Sequence, residues 1–352
     1  MGKGQPLSRA FFEQLLDGAQ GKADVATLPW EPLSQFLEQV LAIVAAEPAL
    51  IEWAPRATVV VGDTHSDVQT SNAVLDAYPS TPLIFLGDYS GRCQTRFDDV
   101  RNCLLLFVAK FLNRQQLILL RGNHEDEHVC SDNGLRQSLR EIYGSSLGES
   151  AWRQFVAIFH QLPLAVSMGD LIILHGALPQ VASLDELRRL PKGGSFCDHP
   201  LITQILWNDV STRDALVENE RCPGSLVYGR TTLSELLAAV GKKVLIHGHN
   251  FSAKGVGADG ADICLYTCTT YFYLPRGGPS DPTDVQMPVP GNLLAHYDGQ
   301  ETIEVRTMPA FHLGEIPLLQ VTIPRDGPPH ATYLHSWRSN LFHFFHERGK
   351  KQ

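Results

Sequence analysis

The chain has no excess of basic residues. Its 352 residues carry 29 Lys and Arg against 38 Asp and Glu, a formal charge of −9 with a pI near 5.8. That balance argues against broad attraction to nucleic acid or to an anionic membrane surface. An anionic substrate would have to be drawn by cations placed in its own site. Long apolar runs are missing as well: the longest are strand-length or broken by charge and proline, so neither a signal peptide nor a membrane span is expected. The opening Met1-Gly2-Lys3-Gly4-Gln5-Pro6 has proline where a myristoylation signal needs Ser or Thr. The seven cysteines (Cys93, Cys103, Cys130, Cys197, Cys222, Cys264 and Cys268) are odd in number and form no zinc-type pair of pairs. They are expected to be reduced thiols in a cytoplasmic protein. Internal repeats, low-complexity segments and the glycine signatures of dinucleotide-binding and P-loop folds are also absent.

What the chain does have is a set of five apolar runs that each stop at a polar ligand. Thr58–Val61 leads into Gly62-Asp63-Thr64-His65, Leu83–Leu86 into Gly87-Asp88-Tyr89, and Leu117–Leu120 into Arg121-Gly122-Asn123-His124-Glu125. Leu171–Leu174 then runs into His175-Gly176, and Val244–Ile246 into His247-Gly248-His249. Each run reads as a buried strand. The candidate ligands are Asp63, His65, Asp88, Asn123, His175 and His249. Six are too many for one ion and suit two ions sharing a bridging carboxylate, which together clamp a phosphoryl group and make hydroxide available near neutral pH. Gly and Asp are common at ordinary turns, and a single Gly-Asp pair would not separate the two explanations; five strand ends in this order do. Imidazole, carboxylate and amide oxygen suit Mn²⁺ first, with iron or zinc as alternatives, better than Ca²⁺ or an iron–sulfur cluster. His124 directly follows a ligand and emerges beside the metals without being consumed by them. His247 alternates with His249 along a strand, so it should face the other way in a structural role.

Around these strand ends the pattern predicts packing helices at 7–20, capped by Ser8, and at 33–46. Crossover helices are expected at Asp67–Tyr78 and Arg96–Asn113. Further helices are predicted at Asn133–Tyr143, Ser150–Gln161 and Thr231–Val240. Leu164–Ser167 and Leu171–Leu174 should form a hairpin, Gly176–Arg221 an irregular stretch, and 275–291 a surface loop. A closing hairpin joins Leu293–Tyr297 to Thr302–Met308 around Asp298-Gly299. Tyr333, Leu334, Trp337, Leu341, Phe342, Phe344 and Phe345 suggest a terminal aromatic helix that packs back on the core. The expected division is 1–48 for N-terminal helices, 49–308 for the catalytic domain and 309–352 for a C-terminal extension.

At this point the chain resembles the metal-dependent Ser/Thr protein phosphatases, the PPP branch of the calcineurin-like metallophosphoesterases. The superfamily motifs are Gly62-Asp63-Thr64-His65, Gly87-Asp88, Gly122-Asn123-His124-Glu125 and Gly248-His249. The narrower branch is suggested by Glu47–Pro55, Leu83–Tyr89 with Arg92, His175-Gly176, Leu206-Trp207-Asn208-Asp209, Val227-Tyr228-Gly229 and Gly291–Met308. The resemblance covers roughly residues 33–308 and implies an α/β fold of two mixed β-sheets packed face to face and flanked by helices (an αββα sandwich). It implies two divalent metal ions, one held by Asp63, His65 and Asp88, the other by Asp88, Asn123, His175 and His249. Water between them would attack phosphorus in line while His124 protonates the leaving oxygen of phosphoserine or phosphothreonine. Arg92 and Arg221 would clamp phosphate oxygens, Asn123 would contact substrate, and Tyr271 falls where the family has a site tyrosine, with Tyr273 as the alternative. The implied partners are a phosphoprotein substrate and a regulatory subunit. A phosphodiesterase or dinucleoside polyphosphate hydrolase shares the same metal motifs, and a non-catalytic phosphate-binding protein is a third reading.

Four positions depart from the family pattern. Gly91 stands where the family has an Asp before its Arg, a carboxylate that orients the catalytic His. Without it the acid step of His124 is expected to be weakened unless Asp67, Asp126 or a backbone carbonyl substitutes, and Gly91→Asp is expected to raise the rate on phosphoserine peptides more than on an aryl phosphate. Ser66-Asp67 replaces Gly-Gln, and Ala177 replaces a Gly.

Overall fold

Period-two alternation in short apolar strands decides the architecture. In the computed structural model, which describes residues 7–250, 255–257, 260–268, 293–307 and 317–333, α1 (Arg9–Ala19) and α2 (Trp30–Ala45) come first. The Ser8 hydroxyl caps α1 by accepting from the Phe11 amide. Then follow β1 (Leu50–Trp53), β2 (Ala57–Val61), α3 (Val68–Ala77), β3 (Leu83–Phe85), α4 (Asp98–Leu112) and β4 (Leu117–Leu119). Next come α5 (Glu127–Asp132), α6 (Leu135–Gln161), β5 (Ala165–Met168) and β6 (Leu171–Leu174). α7 (Leu184–Arg188), α8 (Pro200–Trp207), β7 (Asp209–Val210), β8 (Leu216–Glu218) and β9 (Leu226–Tyr228) occupy the middle. α9 (Arg230–Ala239), β10 (Val244–His247), β11 (Gly255–Val256), β12 (Asp262–Cys264), β13 (Leu293–Asp298), β14 (Thr302–Thr307), β15 (Pro317–Thr322) and β16 (His330–Tyr333) complete the described chain.

One sheet runs β16-β15-β14-β13-β2-β3-β4 and the other β1-β5-β6-β10-β12-β11. β2, β3 and β4 are parallel, joined through α3 and α4, while β13 to β16 add antiparallel. Val60, Ile84, Leu86, Ile118 and Leu120 from the first sheet meet Val166, Met168, Ile173, Val244 and Ile246 from the second in one apolar layer. The intervening residues turn outward. Val59, Val61, Leu83, Phe85, Leu117 and Leu119 pack under α1, α2, α4 and α6, and Ile172, Leu174 and Leu245 pack under α8 and α9. Strands covered on both faces read as unbroken apolar runs, which is why they could be found in the sequence. A small third sheet, β7-β9-β8, stands beside the second.

Several expectations need correcting. The Glu47–Pro55 lead-in contains a strand of its own, β1, paired in parallel with β5 in the sheet opposite β2. The supposedly irregular stretch 176–221 contains α7, α8, β7 and β8, and Trp207 ends a helix. The two helices expected over 133–161 meet across a break at Gly144, where φ is +77°. β15 and β16 carry the first sheet past residue 308, so that position does not end the sheet. The aromatic segment from Leu334 onward, the 275–291 loop, Tyr271 and Tyr273 lie outside the described residues. Among the described residues, no helix is long and apolar enough to cross a membrane.

Candidate metal centre

The C-terminal ends of β2, β3, β4, β6 and β10 converge on one edge of the two sheets, as strand ends do in α/β ligand sites. To turn side chains into that edge, the backbone goes left-handed at His65 (φ +41°), Asp88 (φ +56°), Arg92 (φ +62°) and His249 (φ +64°). Such conformations in non-glycine residues store strain and cluster at functional sites. At Gly248 even a Cβ atom would collide with the Asp63 carboxylate.

All six sequence-derived ligands meet here. Asp88 lies at the middle: its carboxylate is 3.5 Å from His65 Nε2 and 3.3 Å from His175 Nε2. Asp63 Oδ2 is 3.8 Å from His65 Nε2, and the Asp63 carboxylate accepts the His249 amide. The Asn123 side-chain oxygen is 2.9 Å from His175 Nε2 and 3.0 Å from His249 Nδ1. Two groups of ligand atoms share Asp88, one with His65 and His124, the other with His175 and His249, each group within 4.8 Å.

The electrostatics suit cations. Burial drives Asp63 well above its ordinary pKa and the neighbouring Asp88 charge adds to it. Burial acts the same way on Asp88, but His124, His175, His65 and His249 outweigh it and hold that carboxylate low. Burial pushes His65 and His249 well below the ordinary imidazole value and His175 to about 4, so their ring nitrogens present lone pairs. The Asn123 oxygen thus sits among acceptor atoms. Turned the other way, its amide nitrogen would donate to the same His175, His249 and Asp88 atoms; a bound cation favours oxygen inward. Two carboxylates, three neutral imidazoles and an amide oxygen, all buried, form a donor set that fits a pair of divalent ions.

His124 stands over this cluster with Nε2 3.8 Å from Asp88 Oδ2. Its Nδ1 lies 3.1 Å from the Ser90 carbonyl and 3.1 Å from the Asn133 side-chain amide. The Ser90 carbonyl therefore takes the part expected of a carboxylate. Asp67 instead caps α3 through Thr70, and Asp126 pairs with Arg121 at 2.8 Å while accepting the Phe196 amide. Position 91 also has no room for the family's Asp. Its φ is +83°, and a Cβ there would lie 2.7 Å from His124 Nδ1 and 3.2 Å from Asn133 Cβ. The expected gain from Gly91→Asp is thereby withdrawn.

Glu125 received no role from the sequence, and its position explains its place in the motif. Its carboxylate accepts the amides of Asp88 (2.6 Å), Tyr89 (2.9 Å) and Gly122 (3.0 Å), fixing the β3 loop against the β4 loop. Arg92 reaches His65 Nε2 at 2.7 Å and the Tyr266 hydroxyl at 2.5 Å. Arg221 pairs with Asp209 at 3.1 Å, its guanidinium carbon 5.7 Å from the centre of the Trp207 ring, and Trp207 stacks edge-on to His249 at 5.4 Å. The two arginines therefore flank the cluster. Beside Arg221 a cavity of about 430 Å³ is lined by Phe196, Thr203, Trp207 and Pro223. His247 turns away to Asp262, 3.0 Å off. Tyr266, which sequence reasoning missed, is buried with its hydroxyl 2.6 Å from His65 Nε2. Its only sequence signal is a tyrosine two residues beyond a short apolar strand, and such tyrosines are common.

Comparison with known proteins agrees with this geometry. The chain is 29% identical over 231 residues to a Caenorhabditis elegans protein provisionally named a serine/threonine-protein phosphatase, covering 63% of this chain and 49% of that one. It is 27% identical over 227 residues to the serine/threonine-protein phosphatase 4 catalytic subunit of Kluyveromyces lactis, covering 61% and 70%. The chain thus spans about half the length of the first of these relatives. Among solved structures, a Saccharomyces cerevisiae protein serine/threonine phosphatase superposes with a TM-score of 0.65 at 19% identity, over 81% of this chain and 89% of that one, which supports the fold. The calcineurin-like phosphoesterase family matches residues 57–251, more than half the chain, and the chain belongs to that family.

Proposed function

We propose that this chain hydrolyses phosphoserine and phosphothreonine in proteins at a pair of divalent ions, Mn²⁺ first, with iron or zinc as alternatives. The observation that carries the proposal is the convergence of Asp63, His65, Asp88, Asn123, His175 and His249 on one buried cluster, with His124 above it and arginines on both sides. When bound, the ions would supply Lewis-acid stabilisation of phosphoryl oxygens and a nucleophile at neutral pH. Arg92 and Arg221 would hold the non-bridging oxygens, a task for the guanidinium fork. His124 would hold the proton for the leaving alkoxide at Nε2, its ring fixed from behind by the Ser90 carbonyl at Nδ1. Glu125 would keep Asp88 and the Gly122 turn in register.

The names of the curated relatives support the choice of phosphoprotein over dinucleotide substrates. No disulfide joins any of the seven cysteines, which supports a cytoplasmic location. A regulatory subunit belongs to the proposal through the resemblance alone. The test is turnover of phosphoserine and phosphothreonine peptides against dinucleoside polyphosphates, before and after chelation and Mn²⁺ readdition. Metal-dependent turnover confined to phosphopeptides is expected. Turnover confined to dinucleotides would move the chain to the other hydrolase class.

A further inference from the structure

We infer that the free edge of β8 receives the substrate's own polypeptide backbone as an added strand, with the phosphorylated residue anchored beside it at the metal cluster. The inference rests on the phosphopeptide reading of the site. In the small third sheet, β8 pairs antiparallel with β9 on one side and ends the sheet on the other. Gly229 donates its amide to the Ala215 carbonyl and Asn219 donates to the Ser225 carbonyl, both at 2.9 Å, and Val217 stands opposite Val227. Bonded pairs alternate along an antiparallel ladder, so Ala215, Val217 and Asn219 face β9. Leu216 and Glu218 therefore turn their N–H and C=O groups outward. Among the described residues none of these outward groups has a hydrogen-bond partner, and 212–218 are exposed throughout. Leu216 and Val217, on opposite faces, are 50% and 54% exposed, so nothing described covers either face. Edges are commonly blunted by Lys or Pro, and β8 carries neither.

The position of the strand selects its occupant. β8 runs toward the metal cluster: Asn219, next after Glu218, donates its side-chain amide to the Trp207 carbonyl at 2.8 Å and to Asp209 at 3.0 Å. Arg221 follows two residues later, paired with the same Asp209, and Trp207 lies against His249. Three residues of chain span at most about 11 Å, which bounds the distance from Glu218 to the arginine proposed to hold phosphate. A peptide with its phosphoresidue at the cluster reaches β8 about three or four residues along its length. An edge this short offers too few hydrogen bonds to hold a second copy of this chain, or any partner, unaided. It gains weight once phosphate has fixed the ligand next to it, because the second contact then forms at the high effective concentration of an intramolecular step. Backbone pairing reads an extended conformation, and Leu216 and Val217 favour apolar side chains opposite them. The inferred substrate is a phosphoresidue in an extended, unfolded segment of its protein.

The experiment uses the full-length chain loaded with Mn²⁺, a phosphoserine peptide, and versions of that peptide methylated at one backbone nitrogen each. In an added strand only alternate residues face β8, so methylating those amides should raise KM about tenfold with kcat unchanged. Methylating the intervening amides should change KM less than about twofold. With the same peptide bound as a non-hydrolysable phosphonate, the Leu216 and Glu218 amides should exchange at least about tenfold more slowly, and the Val217 amide at its former rate. Phosphopeptide turnover whose KM shows no alternation, or Leu216 and Glu218 amides indifferent to the peptide, overturns the strand inference and leaves the phosphatase reading intact. Amides of Leu216 and Glu218 already protected in the peptide-free protein also overturn it, because the edge is then covered by the chain itself or by a second copy. Absence of turnover on every phosphopeptide overturns both readings together.

Discussion

Replacing Gly91 should damage the protein and the proposed activity, although the family pattern taken alone points the other way. In Gly91→Ala the new Cβ would lie 2.7 Å from His124 Nδ1, 3.0 Å from His124 Cε1 and 3.2 Å from Asn133 Cβ, on a backbone with φ +83°. The left-handed conformation costs an L-residue about 1–2 kcal/mol, and forcing one carbon into packed atoms costs about 1–3 kcal/mol more. The expected loss of stability is therefore about 2–5 kcal/mol. If instead the contact relaxes, His124 must move by several tenths of an ångström, away from the Ser90 carbonyl that orients it. A misplacement of about 1 Å at a reacting group costs about a hundredfold, so a loss of roughly tenfold in kcat is expected. None of the six proposed metal ligands is touched, so metal content should hold. Denaturant unfolding, metal analysis and kcat on a phosphoserine peptide measure the three quantities. The reasoning is refuted by a Gly91→Ala protein within 0.5 kcal/mol of wild type and within twofold in kcat, or by Gly91→Asp running faster than wild type.

Asp126→Ala should cost about 3–5 kcal/mol in denaturant unfolding, because Arg121 stays buried without its 2.8 Å partner. Burial holds His160 and His296 near a pKa of about 4. The unfolded chain, with ordinary imidazoles near 6.5, then binds more protons than the folded one between those values, and stability falls as pH drops from about 6.5 toward 4. Melting temperature against pH should show that decline, and His160→Gln with His296→Gln should make it shallower.

The proposed metal ligands were legible because each follows a strand buried on both faces, where apolar residues run without interruption and a polar residue stands out. Val59 to Val61 and Leu83 to Leu86 alternate between the helix side and the other sheet, yet both destinations are apolar. β1 was hidden for the opposite reason. It is short, bounded by Pro48 and Pro55, and takes its strand character from parallel pairing with β5, more than a hundred residues away. α8 begins with Pro200 at its first turn, a favourable position, but the proline within a loop-like stretch masked it. The support of His124 could not be read from the sequence either, because a main-chain carbonyl carries no residue signature. Tyr266 is brought beside His65 by its parallel bridge to Asp63, a pairing of segments far apart in the sequence that no local pattern encodes.

The most direct test of the central claim is metal content and phosphopeptide turnover measured together on wild type and Asp88→Asn. Asp88 lies between both ligand groups, so the account predicts two ions per wild-type chain and turnover that is lost on chelation and restored by Mn²⁺. It predicts that Asp88→Asn loses at least one ion and essentially all turnover. Two ions retained in Asp88→Asn with near-wild-type turnover, or wild-type turnover indifferent to chelation, would contradict it.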